Sequence, residues 1–163
     1  MPYIVIVISF ILDSIISNFI SLNSLFMPLC TLMALIIAYP YFNGNIKNYF
    51  ITCFVTGVFY DLIYTDTIVI HGFLFLMVGY LITKLNLIMS NNYLNVVIMA
   101  IICIIFYRFV SYGLLLITAN VSFSWLLLLK SIYHSLILNI IYVFLLFIIT
   151  DRISFKFRIK KSD

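Results

Sequence analysis

The run Ile98-Met99-Ala100-Ile101-Ile102-Cys103-Ile104-Ile105 decides the fold class. A strand of a closed membrane barrel alternates apolar and polar side chains, and a helix on a soluble core keeps one polar face. This run does neither. In lipid, a helix satisfies its own backbone hydrogen bonds, so a continuous apolar run of this kind reads as a spanning helix. Followed outward in both directions, the apolar stretch reaches from about residue 93 to 119. That exceeds the roughly 20 residues needed to cross a hydrocarbon core.

The remaining sequence has the same character. Of the 163 residues, 66% are hydrophobic and only 9% are charged, and the mean hydropathy is +1.26. A soluble domain carries roughly a quarter charged residues. A water-facing surface, a disordered chain and a nucleic-acid-binding surface are therefore excluded. Six apolar segments fit, at about 3–22, 24–42, 47–64, 68–89, 93–119 and 124–150. Pro40 with Asn43-Gly44-Asn45, and Ser90-Asn91-Asn92, punctuate them. The expected class is an all-α integral membrane protein, a six-transmembrane-helix bundle. It forms a single domain over 1–151, and a basic tail covers 152–163. The first run is expected to stay as a helix. Met1-Pro2-Tyr3 brings no Lys or Arg, and no small-x-small cleavage site follows.

Lys and Arg placement sets the expected orientation. The connections after helices one, three and five contain neither. Lys47 and Lys84 flank the connections after helices two and four, and Arg152, Lys156, Arg158, Lys160 and Lys161 fill the tail. All fall on one side if both termini are cytoplasmic. In the tail, Ile153, Phe155, Phe157 and Ile159 alternate with basic residues. Each basic residue close to an anionic leaflet contributes about 1 kcal/mol, so anionic lipid is the expected partner there.

Ionisable groups inside spans cost about 2.5–3.5 kcal/mol each on insertion scales. Asp13, Asp61, Arg108, Lys130 and His134 all fall within spans. At 1.5 Å per residue, Asp61 lies roughly 21 Å from the cytoplasmic start of helix three, and Arg108 and Lys130 come to a similar height. Asp13 and His134 fall closer to the midplane. Depth therefore matches Asp61 with Arg108 or Lys130, and Asp13 with His134 or Arg108. Each sits on a polar stripe: Ser9, Asp13 and Ser17; Gly57, Tyr60, Asp61 and Tyr64; Arg108, Ser111 and Tyr112; Lys130, Ser131, His134, Ser135 and Asn139. Such stripes either fix the bundle by pairing or line a cavity. The cysteines Cys30, Cys53 and Cys103 stand in separate helices without ligand spacing, and His134 has no Cys or Glu beside it. No metal site and no cofactor are expected.

Helices three and four carry a resemblance. Gly57-Val58-Phe59-Tyr60-Asp61-Leu62, a short turn at Thr65-Asp66-Thr67, then Gly72-Phe73-Leu74-Phe75-Leu76 and Gly79-Tyr80-Leu81 resemble the bacterial rod-shape-determining MreD family. Length, hydropathy and the short basic tail fit that family over nearly the whole chain. The resemblance implies a non-catalytic subunit of the cell-wall elongation machinery in the bacterial cytoplasmic membrane. It implies binding to MreC, and indirectly to MreB, RodA and a penicillin-binding transpeptidase. It also implies a bundle similar to the S components of energy-coupling-factor transporters. Gly57, Asp61, Gly72 and Gly79 carry over as structural or interface positions, and no catalytic residue does.

The rival reading is a vitamin-binding S component. Such proteins usually present an A-x-x-x-A patch on helix one, where this chain has no alanine; Ala34 and Ala38 lie on helix two. An enzyme is more distant, because G-x-G-D and G-x-S-x-G are both absent. Reporter fusions test the topology: a fusion at Asp66 should report outside and one at Asp163 inside. An outside reading at Asp163 would overturn the six-span arrangement.

Overall fold

The structure, a computed structural model, describes residues 1–20, 28–42, 44–65, 69–89, 92–118 and 123–156. The expected turn positions Asn43, Asp66, Thr67, Ser90 and Asn91 and the tail over 157–163 lie outside the described residues. The described chain is built of α1 (Pro2–Ile20), α2 (Cys30–Ala38), α3 (Ile46–Tyr64), α4 (Ile70–Ile88), α5 (Tyr93–Thr118) and α6 (Trp125–Lys156). A 3₁₀ turn, Tyr39–Phe42, extends α2. Helices α4, α5 and α6 are each long and apolar enough to cross a membrane.

Burial along these helices is inverted relative to a water-soluble protein. On α1, Tyr3, Ile4, Val7, Ile8 and Ile11 are exposed, whereas Ser9 and Asp13 are buried. On α6, Leu126, Leu129, Ile137 and Ile141 face outward, whereas Ser135 and Asn139 are fully buried. Apolar side chains lose nothing by facing lipid, while polar groups must find one another inside.

The centre of the bundle is α2. All nine of its residues are buried, and it packs against α1, α4, α5 and α6. An all-round apolar sequence suits that position. The helix is shorter than the segment expected over 24–42. Pro28 has no N–H and a fixed φ, and Leu29 has a non-helical backbone (φ −138°, ψ 40°), so helical bonding begins only at Cys30. Together α2 and its 3₁₀ extension rise about 21 Å, less than the roughly 30 Å of a hydrocarbon core. The described part of this segment thus starts inside the bundle, beside the middle of α1. At the other end, α6 continues past residue 150 through Lys156, so the first part of the expected tail is helical.

Helices α3 and α4 form an antiparallel pair whose backbones touch. A Cβ on Gly57 would stand 2.3 Å from the His71 carbonyl oxygen and 2.6 Å from Gly72 Cα. A Cβ on Gly79 would stand 2.8 Å from Cys53 Sγ, and one on Gly72 would stand 3.0 Å from Val58 Cγ2. All three glycines lie in this one seam. Beside it, Tyr49 is fully buried and donates to the Leu35 carbonyl at 3.2 Å, joining α3 to α2.

Gly57→Ala should force α3 and α4 apart, because the obstruction is backbone and cannot rotate away. We expect a loss of about 1–3 kcal/mol, the usual cost of overpacking. Gly113→Ala, where a Cβ meets nothing within 4 Å, is the control and should leave stability unchanged or slightly raised. Thermal unfolding of the two variants in detergent makes the comparison; equal midpoints would show that the seam opens freely.

Candidate functional site

The polar interior is organised around two helix N-termini. At α2 the N-cap residue is Leu29, whose side chain cannot accept a hydrogen bond. Asp13, on α1, takes that role from across the bundle. Its Oδ1 accepts from Cys30 N–H at 2.7 Å and its Oδ2 from Thr31 N–H at 2.7 Å, and the Thr31 hydroxyl donates to Oδ2 as well. Leu29 N–H donates to Asn139 Oδ1 on α6 at 2.8 Å. Asn139 in turn donates to the Ser135 carbonyl at 2.6 Å. The carboxylate therefore meets three donors and the positive end of a helix dipole, an arrangement that stabilises an anion without a cationic side chain.

The start of α4 repeats the device. Its N-cap residue, Val69, has no side-chain acceptor and adopts a left-handed backbone (φ 65°, ψ 1°), strained for a β-branched residue. Asp61, on α3, accepts from His71 N–H at 2.8 Å through Oδ2. Its Oδ1 lies 2.6 Å from His71 Nδ1 and accepts from the Thr65 hydroxyl at 3.0 Å. The carboxylate oxygen takes an N–H from Nδ1, which leaves Nε2 as the ring nitrogen turned away from Asp61. Gly57, one turn before Asp61, admits the α4 backbone closely enough for this contact. Each aspartate thus caps the helix that follows its own.

Arg108, on α5, is half-buried. Its Nε donates to Ser135 Oγ at 2.6 Å, and its guanidinium lies 5.7 Å from the Tyr107 ring centre. Among the described residues no carboxylate reaches it; Asp61 is in contact with His71 instead. A cavity of about 340 Å³ lies between α4, α5 and α6, lined by His71, Tyr107, Arg108, Ser111, Tyr112 and Ser131 with Ile70, Leu74, Leu114 and Leu115. Ser111 and Ser131 donate their hydroxyl protons to the backbone carbonyls of Arg108 and Leu128, so neither is held as a nucleophile. A second, apolar cleft of about 480 Å³ separates α1 from α3, between Val7 and Phe59. Among the described residues no three His, Cys, Asp or Glu side chains gather around a common point that could hold a metal ion.

The sequence model of the family described as rod shape-determining protein MreD matches residues 1–155 of the chain. The chain belongs to the MreD family. Membership gives it a role in rod-shape determination, within a structural family rather than a known enzyme family, and its apolar helices make it a membrane protein. No curated protein and no solved structure matches it.

Within this family member, the depth-matched charge pairs are not the pairs that form. Asp61 meets His71 instead of Arg108 or Lys130, and Asp13 meets a helix N-terminus instead of His134 or Arg108. The reason is physical: free N–H groups at a helix start act as the cation, so depth and sign alone do not select the partner. Lys130 is exposed on the lipid-facing side of α6, where its long stem can snorkel. His134 is half-buried, with its ring 5.9 Å from that of Tyr133. On the stripe of α1, Ser9 is buried and accepts from Tyr142 of α6 at 2.6 Å, while Ser17 is exposed. His71 and Thr31 were not singled out by pattern. The available signal was negative: a start at Leu29 or Val69 lacks a local cap and therefore needs one from elsewhere.

The caps rank the aspartate variants. In Asp13→Asn one acceptor becomes an NH₂ facing Thr31 N–H and the Thr31 hydroxyl, leaving a buried donor unmet at a cost of about 1–3 kcal/mol. Asp61→Asn should cost less, because His71 can shift its proton to Nε2 and accept the new N–H. We expect the Asp13 variant to accumulate less and to unfold at a lower temperature than the Asp61 variant. The reverse order would show that the α4 cap has no tautomeric relief.

Proposed function

We propose that this protein is a non-catalytic membrane scaffold of the cell-wall elongation machinery. In this reading it binds MreC and through it reaches MreB, RodA and the penicillin-binding transpeptidase. It sits in the bacterial cytoplasmic membrane with six spans, an S-component-like bundle and both termini in the cytoplasm. The observation that carries the reading is the family match over 1–155, which leaves almost nothing of the chain outside the family domain. The interior supports it. Its buried carboxylates hold helix ends, and the hydroxyl protons of Ser111 and Ser131 are tied to their own helix, so these groups are committed to architecture. Exposed Arg152 and Lys156 near the end of α6 suit an anionic leaflet.

The three seam glycines face inward against α3 and α4, so a partner helix must use other surfaces. Affinity purification from membranes, joined to cell-shape measurement, tests the proposal. MreC should co-purify, and depletion should give rounded, swollen cells. A tightly bound vitamin, a coupling ATPase in the eluate and normal shape on deletion would overturn it in favour of a transport S component.

A further inference from the structure

From the cavity between α4, α5 and α6, we propose that the protein binds a phosphate monoester group there, free or at the head of a lipid, with Arg108 as its principal ligand. This goes beyond the scaffold reading and does not depend on it. Arg108 carries five N–H donors. One is taken by Ser135, and the guanidinium meets no carboxylate among the described residues. No described side-chain nitrogen or oxygen is buried without a hydrogen-bond partner. Arg108 lines this cavity, and its remaining guanidinium N–H groups are left for a ligand. An arginine inside a membrane protein without a carboxylate partner marks a candidate functional site, and its charge selects for an anion.

The other walls narrow the choice. His71 lines the same cavity, and its Nδ1 is held by Asp61, so Nε2 is the ring nitrogen left for a ligand. Ser111 and Ser131 have committed their protons and offer only acceptor lone pairs. His71 and Arg108 stand on the same aromatic ring, with the imidazole centre 6.3 Å and the guanidinium 5.7 Å from that of Tyr107. The site therefore combines a charged donor with several acceptors. A carboxylate or a phosphodiester supplies acceptors alone. A phosphate monoester, as the monoanion populated near and below its second pKa of about 6, presents charged oxygens to arginine and a hydroxyl to an acceptor in one group. Ile70, Leu74 and Leu115 in the same wall can hold an apolar body attached to it.

The test uses the purified full chain in detergent and dihexanoyl phosphatidic acid, read by calorimetry or native mass spectrometry. Dihexanoyl phosphatidylcholine, a diester, is the control, and inorganic phosphate is the competitor. Phosphatidic acid should bind at least tenfold more tightly than phosphatidylcholine, and Arg108→Gln should weaken it at least tenfold. Ser131→Leu, which narrows the cavity without touching either helix cap, should also weaken it and keeps the test decisive if the arginine variant fails to fold. Competition by inorganic phosphate would assign the site to the free anion; binding of phosphatidic acid without such competition would assign it to a lipid. Equal binding of the two lipids, no binding of phosphatidic acid or phosphate, or unchanged binding in both variants would overturn the proposal.

Discussion

A carboxylate that caps the next helix instead of its own is the contact from which this bundle is assembled. A helix starting within lipid exposes N–H groups that water cannot reach, and each unmet group costs several kcal/mol in hydrocarbon. Asp13 removes that cost for α2, and Asp61 removes it for α4. Each aspartate is itself acceptable in the membrane only because those donors are there. Neither half stands without the other, so each cap locks two successive helices into one relative height. The first cap also explains how α2 can be short, central and buried on every side, since its upper end is closed by α1 and α6 rather than by solvent.

The glycine seam depends on the same logic. Gly57 lets the α4 backbone come within contact of α3, and only at that separation can Asp61 reach the His71 N–H. The spacing G-x-x-x-D is therefore one mechanical unit: a close-approach point and, one turn later, a cap. Gly79 and Gly72 continue the seam along α4 over Cys53 and Val58. This gives the motif on helices three and four a meaning in packing and electrostatics that does not require an external partner.

Much of the architecture was legible because lipid imposes simple rules. Continuous apolar runs such as Ile98–Ile105 leave no alternative to helices, and the described chain is helical through α3, α4 and α5. Polar stripes correctly placed Ser9, Asp13, Asp61, Ser135 and Asn139 in the interior. The start of α2 was not legible. An N-cap supplied by a residue 17 positions earlier leaves no local trace, and Leu29 looks like any apolar residue. Charge pairing failed for the same reason. Arithmetic over side-chain charges omits the backbone, whose partial charges at helix ends settled both aspartates. The contact of His71 with Asp61 depends on the tight α3–α4 approach, which exists only in the folded chain.

Two ties hold α2 to α6. Leu29 N–H meets Asn139 at the upper end, and the Tyr41 hydroxyl shares a hydrogen bond with Ser154 at 2.9 Å below the 3₁₀ turn. Fifteen residues separate the two anchor points on α6, about 22 Å along its axis. A strut pinned at both ends to a longer beam cannot slide or tilt on its own. A pull on the protruding end of α6 near Lys156 is therefore borne by α2 as well, and passes through the Asp13 cap into α1. The first, second and last helices form a truss, with the α3–α4 pair braced against its side through Tyr49 and through Tyr64, which donates to the Phe10 carbonyl at 2.6 Å.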